Sequence, residues 1–159
     1  MIDHISLRVR DLQSSKRFYQ AALAPLGYAV MMEFPDAVGL GAGGKADFWL
    51  TTGAPGATSH VAFRCRTTDE VSRFHSAALA AGARDNGAPG LRTHYHPNYF
   101  GGFVYDLDGN NVEAVCHGMM KAALKGGAKK AEAARKPKPA AMARSRKPVA
   151  KKAKKTRRR

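Results

Sequence analysis

"SHVAFRCRTTDEVSRFHSAAL", residues 59–79, repeats the pattern of "DHISLRVRDLQSSKRFYQAAL", residues 3–23. Aligned on His4 and His60, the two stretches lie 56 positions apart. Arg8 and Arg64, Arg10 and Arg66, Phe18 and Phe74, and Ala21-Ala22-Leu23 and Ala77-Ala78-Leu79 keep that offset without a gap. Amphipathic strand–helix pairs are common, so a few matched alanines and leucines mean little. An ungapped match that includes both His-x-x-x-Arg pairs points instead to one structural unit written twice.

Each copy reads the same way locally. In "HISLRVR", Ile5, Leu7 and Val9 alternate with His4, Ser6, Arg8 and Arg10; in "HVAFRCR", Val61, Phe63 and Cys65 alternate with His60, Ala62, Arg64 and Arg66. That alternation predicts a strand with one face on a core and one wetter face. A helix follows each strand. Thr67 and Glu70 have capping-box spacing, and Val71, Phe74, Ala78 and Leu79 form an apolar stripe. The first helix runs through Phe18, Ala22, Leu23 and Leu26 and stops at Gly27.

Glycine-punctuated strand-like runs come next. They are "YAVMMEF", "AVGLGAG" and "ADFWLTTG" in the first half, then a stretch around "LRTHYHPNYF" and "GFVYDLDGNNVEAVCH" in the second. The last predicts a hairpin with Asp108-Gly109 at a tight turn. The expected class is α+β: two β-α-β-β-β modules, about residues 1–53 and 57–118, whose mixed sheets cup a cleft. Because each helix needs the apolar strand face, the polar faces are left to line that cleft.

Charge separates body from tail. The chain carries a formal +15, yet residues 121–159 hold 17 Lys/Arg and one acid, Glu132, so the body is close to neutral. Residues 119–159 form a Lys/Ala/Pro/Arg-rich segment with almost no large apolar side chain, which predicts disorder. Its cations suit nonspecific nucleic-acid contact by counterion release, with no aromatic residue to stack on bases. The composition resembles linker-histone tails. Nothing reads as a signal peptide, because Asp3, His4, Arg8, Arg10 and Asp11 interrupt any early apolar run. No stretch approaches the roughly 20 apolar residues of a membrane span. Two cysteines, Cys65 and Cys116, suit a reducing interior. A cytoplasmic, non-membrane protein is expected, with nucleoid association through the tail.

The paired modules, a histidine on the first strand of each and the "DLDGNNVEAV" hairpin together resemble the vicinal oxygen chelate superfamily. This group includes glyoxalase I, extradiol dioxygenases and bleomycin-resistance proteins. The resemblance covers residues 1 to about 118 and implies metal ligands on the first and last strands of the modules: His4, His60 and Glu113. Two imidazoles and one carboxylate suit one divalent first-row ion (Fe, Zn, Ni or Mn) with open positions for a chelating substrate. The fourth position departs from the pattern. There stands Trp49, whose indole cannot ligate a metal and which is placed facing substrate; Asp47 shares its strand parity.

Other residues follow from the strand pattern. Arg8 and Arg64 lie four residues past their histidines, on the same face, where they would favour an anionic substrate or form structural ion pairs. "THYHPNY" offers His96 and Tyr99 for proton transfer, or as aromatic packing on an edge strand. Parity turns both cysteines to the core. Three activities remain in view. The first is a metal-dependent lyase, isomerase or dioxygenase acting on a small substrate. The others are a metal-free, bleomycin-resistance-like binding protein and a nucleic-acid-associated protein. Homodimers are common in the resembled family.

Overall fold

The computed structural model describes residues 2–118. The expected disorder and nucleic-acid contact of the basic tail concern residues outside those described. Eight strands and two helices run in the order β1 (Ile5–Val9), α1 (Leu12–Leu23), β2 (Ala29–Glu33), β3 (Ala37–Ala42), β4 (Lys45–Thr52), β5 (His60–Arg64), α2 (Thr68–Ala80), β6 (Arg84–Leu91), β7 (Phe100–Tyr105) and β8 (Asn111–Cys116). They form two four-stranded mixed sheets, ordered β1-β4-β3-β2 and β5-β8-β7-β6. The first strand of each module pairs in parallel with its last, and the remaining neighbours are antiparallel. The repeat in sequence is therefore a repeat in topology.

The helices begin where local chemistry says they should. Asp11 caps α1 by accepting the Ser14 amide at 2.9 Å, and Thr67 caps α2 by accepting the Glu70 amide at 3.2 Å. The Glu70 carboxylate reaches back to the Arg66 amide at 2.8 Å, one residue earlier than the capping box expects. Pro25 tightens the chain after Leu23 into a 3-10 turn, and Gly27, at φ 83°, ends it.

One core serves both modules. The Phe48 ring on β4 lies edge-on to Tyr19 of α1 at 4.8 Å and to Phe63 of β5 at 5.3 Å. On α2, Val71, Phe74 and Ala78 are buried as the stripe predicts, but Leu79 is exposed. His75 is buried in its place, with Nε2 at 2.9 Å from Asp85.

Two sequence expectations in the second module differ from the structure. Residues 92–99 do not form a strand; the strand before them is β6, "RDNGAPGL". Its glycines and Pro89 argue against a strand in a sheet interior, but β6 lies at the sheet's outer edge, where a missing N–H is tolerated. The β7–β8 connection is also wider than a two-residue turn, spanning residues 106–110. Asp106 organises it by accepting the amides of Asp108 and Asn110 at 2.9 and 2.7 Å.

The buried Tyr19 hydroxyl donates to the same Asp106 carboxylate at 2.5 Å, tying α1 to the second module's hairpin. Burial, reinforced by that carboxylate, raises the phenol's pKa well above its ordinary value, so it stays a donor. Tyr19→Phe is expected to cost about 1.5–3 kcal/mol, the range for a hydrogen bond to a charged group. Urea unfolding measures the cost, and a loss under about 0.5 kcal/mol contradicts the assignment.

Candidate metal-binding site

Parallel pairing of β5 with β8 sets Ala62 opposite Glu113 and His60 opposite Asn111. Phe63 faces the core, so alternation places His60, Ala62 and Glu113 on the sheet's other face. Glu113 is nonetheless buried, at 2% exposure, and each carboxylate oxygen has its own neighbour. The Tyr99 hydroxyl donates to Oε1 at 2.5 Å. Oε2 lies 3.3 Å from Nε2 of His60.

The far side of the imidazole fixes its tautomer. Nδ1 is 3.1 Å from the Asn111 carbonyl oxygen, which can only accept, so Nδ1 carries the proton. In the neutral ring Nε2 is then the lone-pair nitrogen, and it faces a carboxylate oxygen. Two lone pairs at that distance need a proton or a cation between them. Donors bound at about 2.0–2.2 Å to one first-row ion stand roughly 3.0–3.4 Å apart, which matches this pair. An imidazole held through its other nitrogen by a backbone carbonyl is also the usual arrangement of a metal-ligating histidine.

The supporting residues explain why the pair can form. Gly101 on β7 crosses beneath it. A Cβ there would stand 2.9 Å from Glu113 Oε1 and 3.1 Å from the Tyr99 ring. Burial first, then the hydrogen bond to Glu113, pushes the Tyr99 phenol well above its ordinary pKa. Tyr99 is thus a fixed donor that holds the carboxylate and leaves Oε2 free; it is no base at neutral pH.

His4 is placed differently. Its Nδ1 is 3.0 Å from the neighbouring Asp3, and Asp3 pairs with Lys45. His4 and His60 line one cavity of about 630 Å3 between β1 and β5, with Tyr28, Asp47 and Arg64. Glu113 is not among its lining residues. Among the described residues no three His, Cys, Asp or Glu side chains gather closely enough to hold an ion. The His60–Glu113 pair fits a metal; the third expected ligand does not join it within one chain.

The other named residues are distributed around this pair. Trp49 stacks on Phe34 at 6.3 Å over the first sheet. Asp47 does not share its face: a register shift between Leu40 and Gly41 makes a bulge at Asp47. Its carboxylate accepts the Tyr28 hydroxyl at 3.2 Å beside the β1–β5 cavity instead. Arg64 lines that same cavity, while Arg8 lies over Gly53 beside a smaller one. Both arginines are exposed. His96 pairs with His117, Nε2 to Nδ1 at 2.8 Å, and its own Nδ1 accepts the Asn98 amide at 3.2 Å. His117 is a residue that repeat logic could not find, since it follows the last strand. Both cysteines are buried. Burial pushes the Cys65 thiol up to about 12, which removes it as a nucleophile.

A profile of the Glyoxalase/Bleomycin resistance protein/Dioxygenase superfamily matches residues 1–114. The chain belongs to that superfamily. No curated protein matches it significantly. Among solved structures, this superfamily member is similar to a glyoxalase/bleomycin resistance protein from Albidiferax ferrireducens, at 27% identity and TM-score 0.64, covering 71% of this chain and 96% of that one. A lactoylglutathione lyase from Agrobacterium tumefaciens aligns at 19% identity and TM-score 0.55, covering 73% and 92%. A fosfomycin resistance protein from Mesorhizobium loti aligns at 18% and 0.56, covering 74% and 91%. The last two likenesses bear on the fold alone. Among the described residues no helix is long and apolar enough to cross a membrane.

Proposed function

We propose that the protein is a metal-dependent enzyme of the vicinal oxygen chelate type, a lyase, isomerase or dioxygenase acting on a small substrate. The observation that carries this is Nε2 of His60 standing 3.3 Å from the free oxygen of a buried Glu113, with Nδ1 held by the Asn111 carbonyl. His60 and Glu113 would hold a divalent ion together with His4 of a second copy. His4 immediately precedes β1 and His60 opens β5, both strands at an outer sheet edge, so a two-fold pair of chains can bring one histidine to the other. When bound, such an ion supplies Lewis-acid stabilisation of charge on adjacent substrate oxygens.

The chain's own residues supply the rest. Tyr99 keeps Glu113 oriented, Asn111 sets the His60 tautomer, and Gly101 leaves room for both. Trp49, Arg8 and Arg64 remain candidates for substrate contact, and His96 for proton transfer from the loop that carries Tyr99. The basic tail adds nonspecific nucleic-acid binding and nucleoid association to this reading, supported by charge alone.

Complementation tests the composite site. His4→Ala and Glu113→Ala should each lose the metal when prepared alone. Dissociated and randomly re-paired, half the dimers are mixed and each mixed dimer keeps one intact site, so metal content should recover to about a quarter of wild type. No recovery in a confirmed mixed dimer rejects the shared site. A wild-type protein that takes up no divalent ion favours the metal-free binding reading instead.

A further inference from the structure

We infer that the cavity beside the His60–Glu113 pair seats the carboxylate of a small aromatic acid, with Arg92 as its anchor. This names a substrate class for the site and rests on the reading that the pair is the reacting centre. The cavity measures about 240 Å3 and is lined by Asn86, Arg92, His94, Tyr95, Phe103 and Asn111. Two of its lining residues neighbour the pair: Phe103 is the register partner of Glu113, and the Asn111 carbonyl holds His60.

Arg92 is placed with care. Two of its nitrogens donate to the carbonyls of Ala88 and Leu91, at 2.8 and 3.4 Å, and its guanidinium lies 5.6 Å from the Phe103 ring centre. The glycines of β6 make the berth. A Cβ at Gly90 would stand 2.9 Å from one guanidinium nitrogen, and one at Gly87 would stand 3.4 Å from the other. The side chain is thus laid flat over the strand and fixed by groups that leave its charge uncompensated. No acid lines the cavity, and Arg92 forms no ion pair among the described residues. A guanidinium has five N–H donors, so a donor edge remains for an oxyanion.

The remaining walls define the body of the ligand. Asn86 donates its amide to the Asn111 side-chain oxygen at 3.0 Å, which leaves the Asn111 amide N–H2 as a second donor into the cavity. Tyr95 and Phe103 give aromatic surface. A cavity of about 150 Å3 accommodates benzene, so this one has room for one substituted ring. The Arg92 amide also donates to the Tyr99 carbonyl at 2.7 Å. The anion seat and the Tyr99–Glu113 clamp are thus the two ends of one loop.

Benzoate and neutral benzamide serve as probes, followed by NMR of the metal-free full chain. A site-resolved readout is needed because the tail also attracts anions. Benzoate should shift the Asn86 and Asn111 side-chain amides and the Phe103 ring, with benzamide at least about 10-fold weaker. Arg92→Met should weaken benzoate by about 10- to 100-fold and Arg92→Lys by less, because an ammonium keeps the charge without the fork. Melting curves confirm that both variants are folded. Absence of these shifts in wild type, or their equal persistence in Arg92→Met or with benzamide, overturns the proposal. Glu113→Gln should leave the benzoate shifts in place, so failure of the anion seat and failure of the reacting centre are read separately.

Discussion

Phe48→Ala is expected to remove about 3–5 kcal/mol of folding free energy and to lower the melting temperature by roughly 10–20 °C. The ring is 1% exposed and meets both Tyr19 of the first module and Phe63 of the second. Truncation would empty the point where the two halves of the core join, and the backbone cannot collapse there without moving β4 against β5. The consequence reaches beyond magnitude. Because both modules draw on one core, the variant should still unfold in a single transition, earlier but undivided. Phe34→Ala is the control. Its ring is 48% exposed, stacked on Trp49 outside the core, and should cost under about 1 kcal/mol. Two separated transitions in Phe48→Ala, or a loss no greater than that of Phe34→Ala, would show the modules to be energetically independent.

The duplicated architecture was legible because two periods coincide. Alternation in "HISLRVR" and "HVAFRCR" names the strand faces, and the constant offset between them makes each half a check on the other. Legibility failed where a residue departs from its element's rule. β6 was hidden because "RDNGAPGL" has the composition of a loop and forms a strand only as a sheet edge. Counting in twos places Asp47 on the Trp49 face, but a bulge adds one residue to the count. Helical spacing puts Leu79 in the stripe of α2, whereas the structure buries His75 there, bonded to Asp85.

For the site, the repeat offset and the resemblance named His60 and Glu113, which the parallel register of β5 with β8 does bring together. What sequence could not supply is long-range. The Asn111 carbonyl that orients His60 is backbone, and any residue could provide it. Gly101 matters through a side chain it lacks. The docking of one module on the other, which leaves His4 beside the β1–β5 cavity, depends on the whole core. Arg92 had no partner at the repeat offset, since position 36 holds Asp, so the logic that selected Arg8 and Arg64 passed over it.

Glu113→Gln is the substitution that separates the two things able to stand between His60 and the carboxylate. Glutamine keeps the shape, and its oxygen can still accept the Tyr99 hydroxyl. Its N–H2 can donate to the bare Nε2 of His60, so the metal-free protein needs neither proton nor cation between the two groups. If the pair exists to hold an ion, affinity for the divalent metal should fall at least about 100-fold, since a charged ligand becomes a neutral amide. The metal-free melting temperature should meanwhile change by only a few degrees or rise. If the pair is instead a proton-bridged structural contact, the pattern reverses, with stability falling and metal uptake unaltered. Calorimetric titration of the ion beside melting curves of the stripped protein reads both quantities on one preparation. Metal affinity and stability, read together, then decide what the buried carboxylate is for.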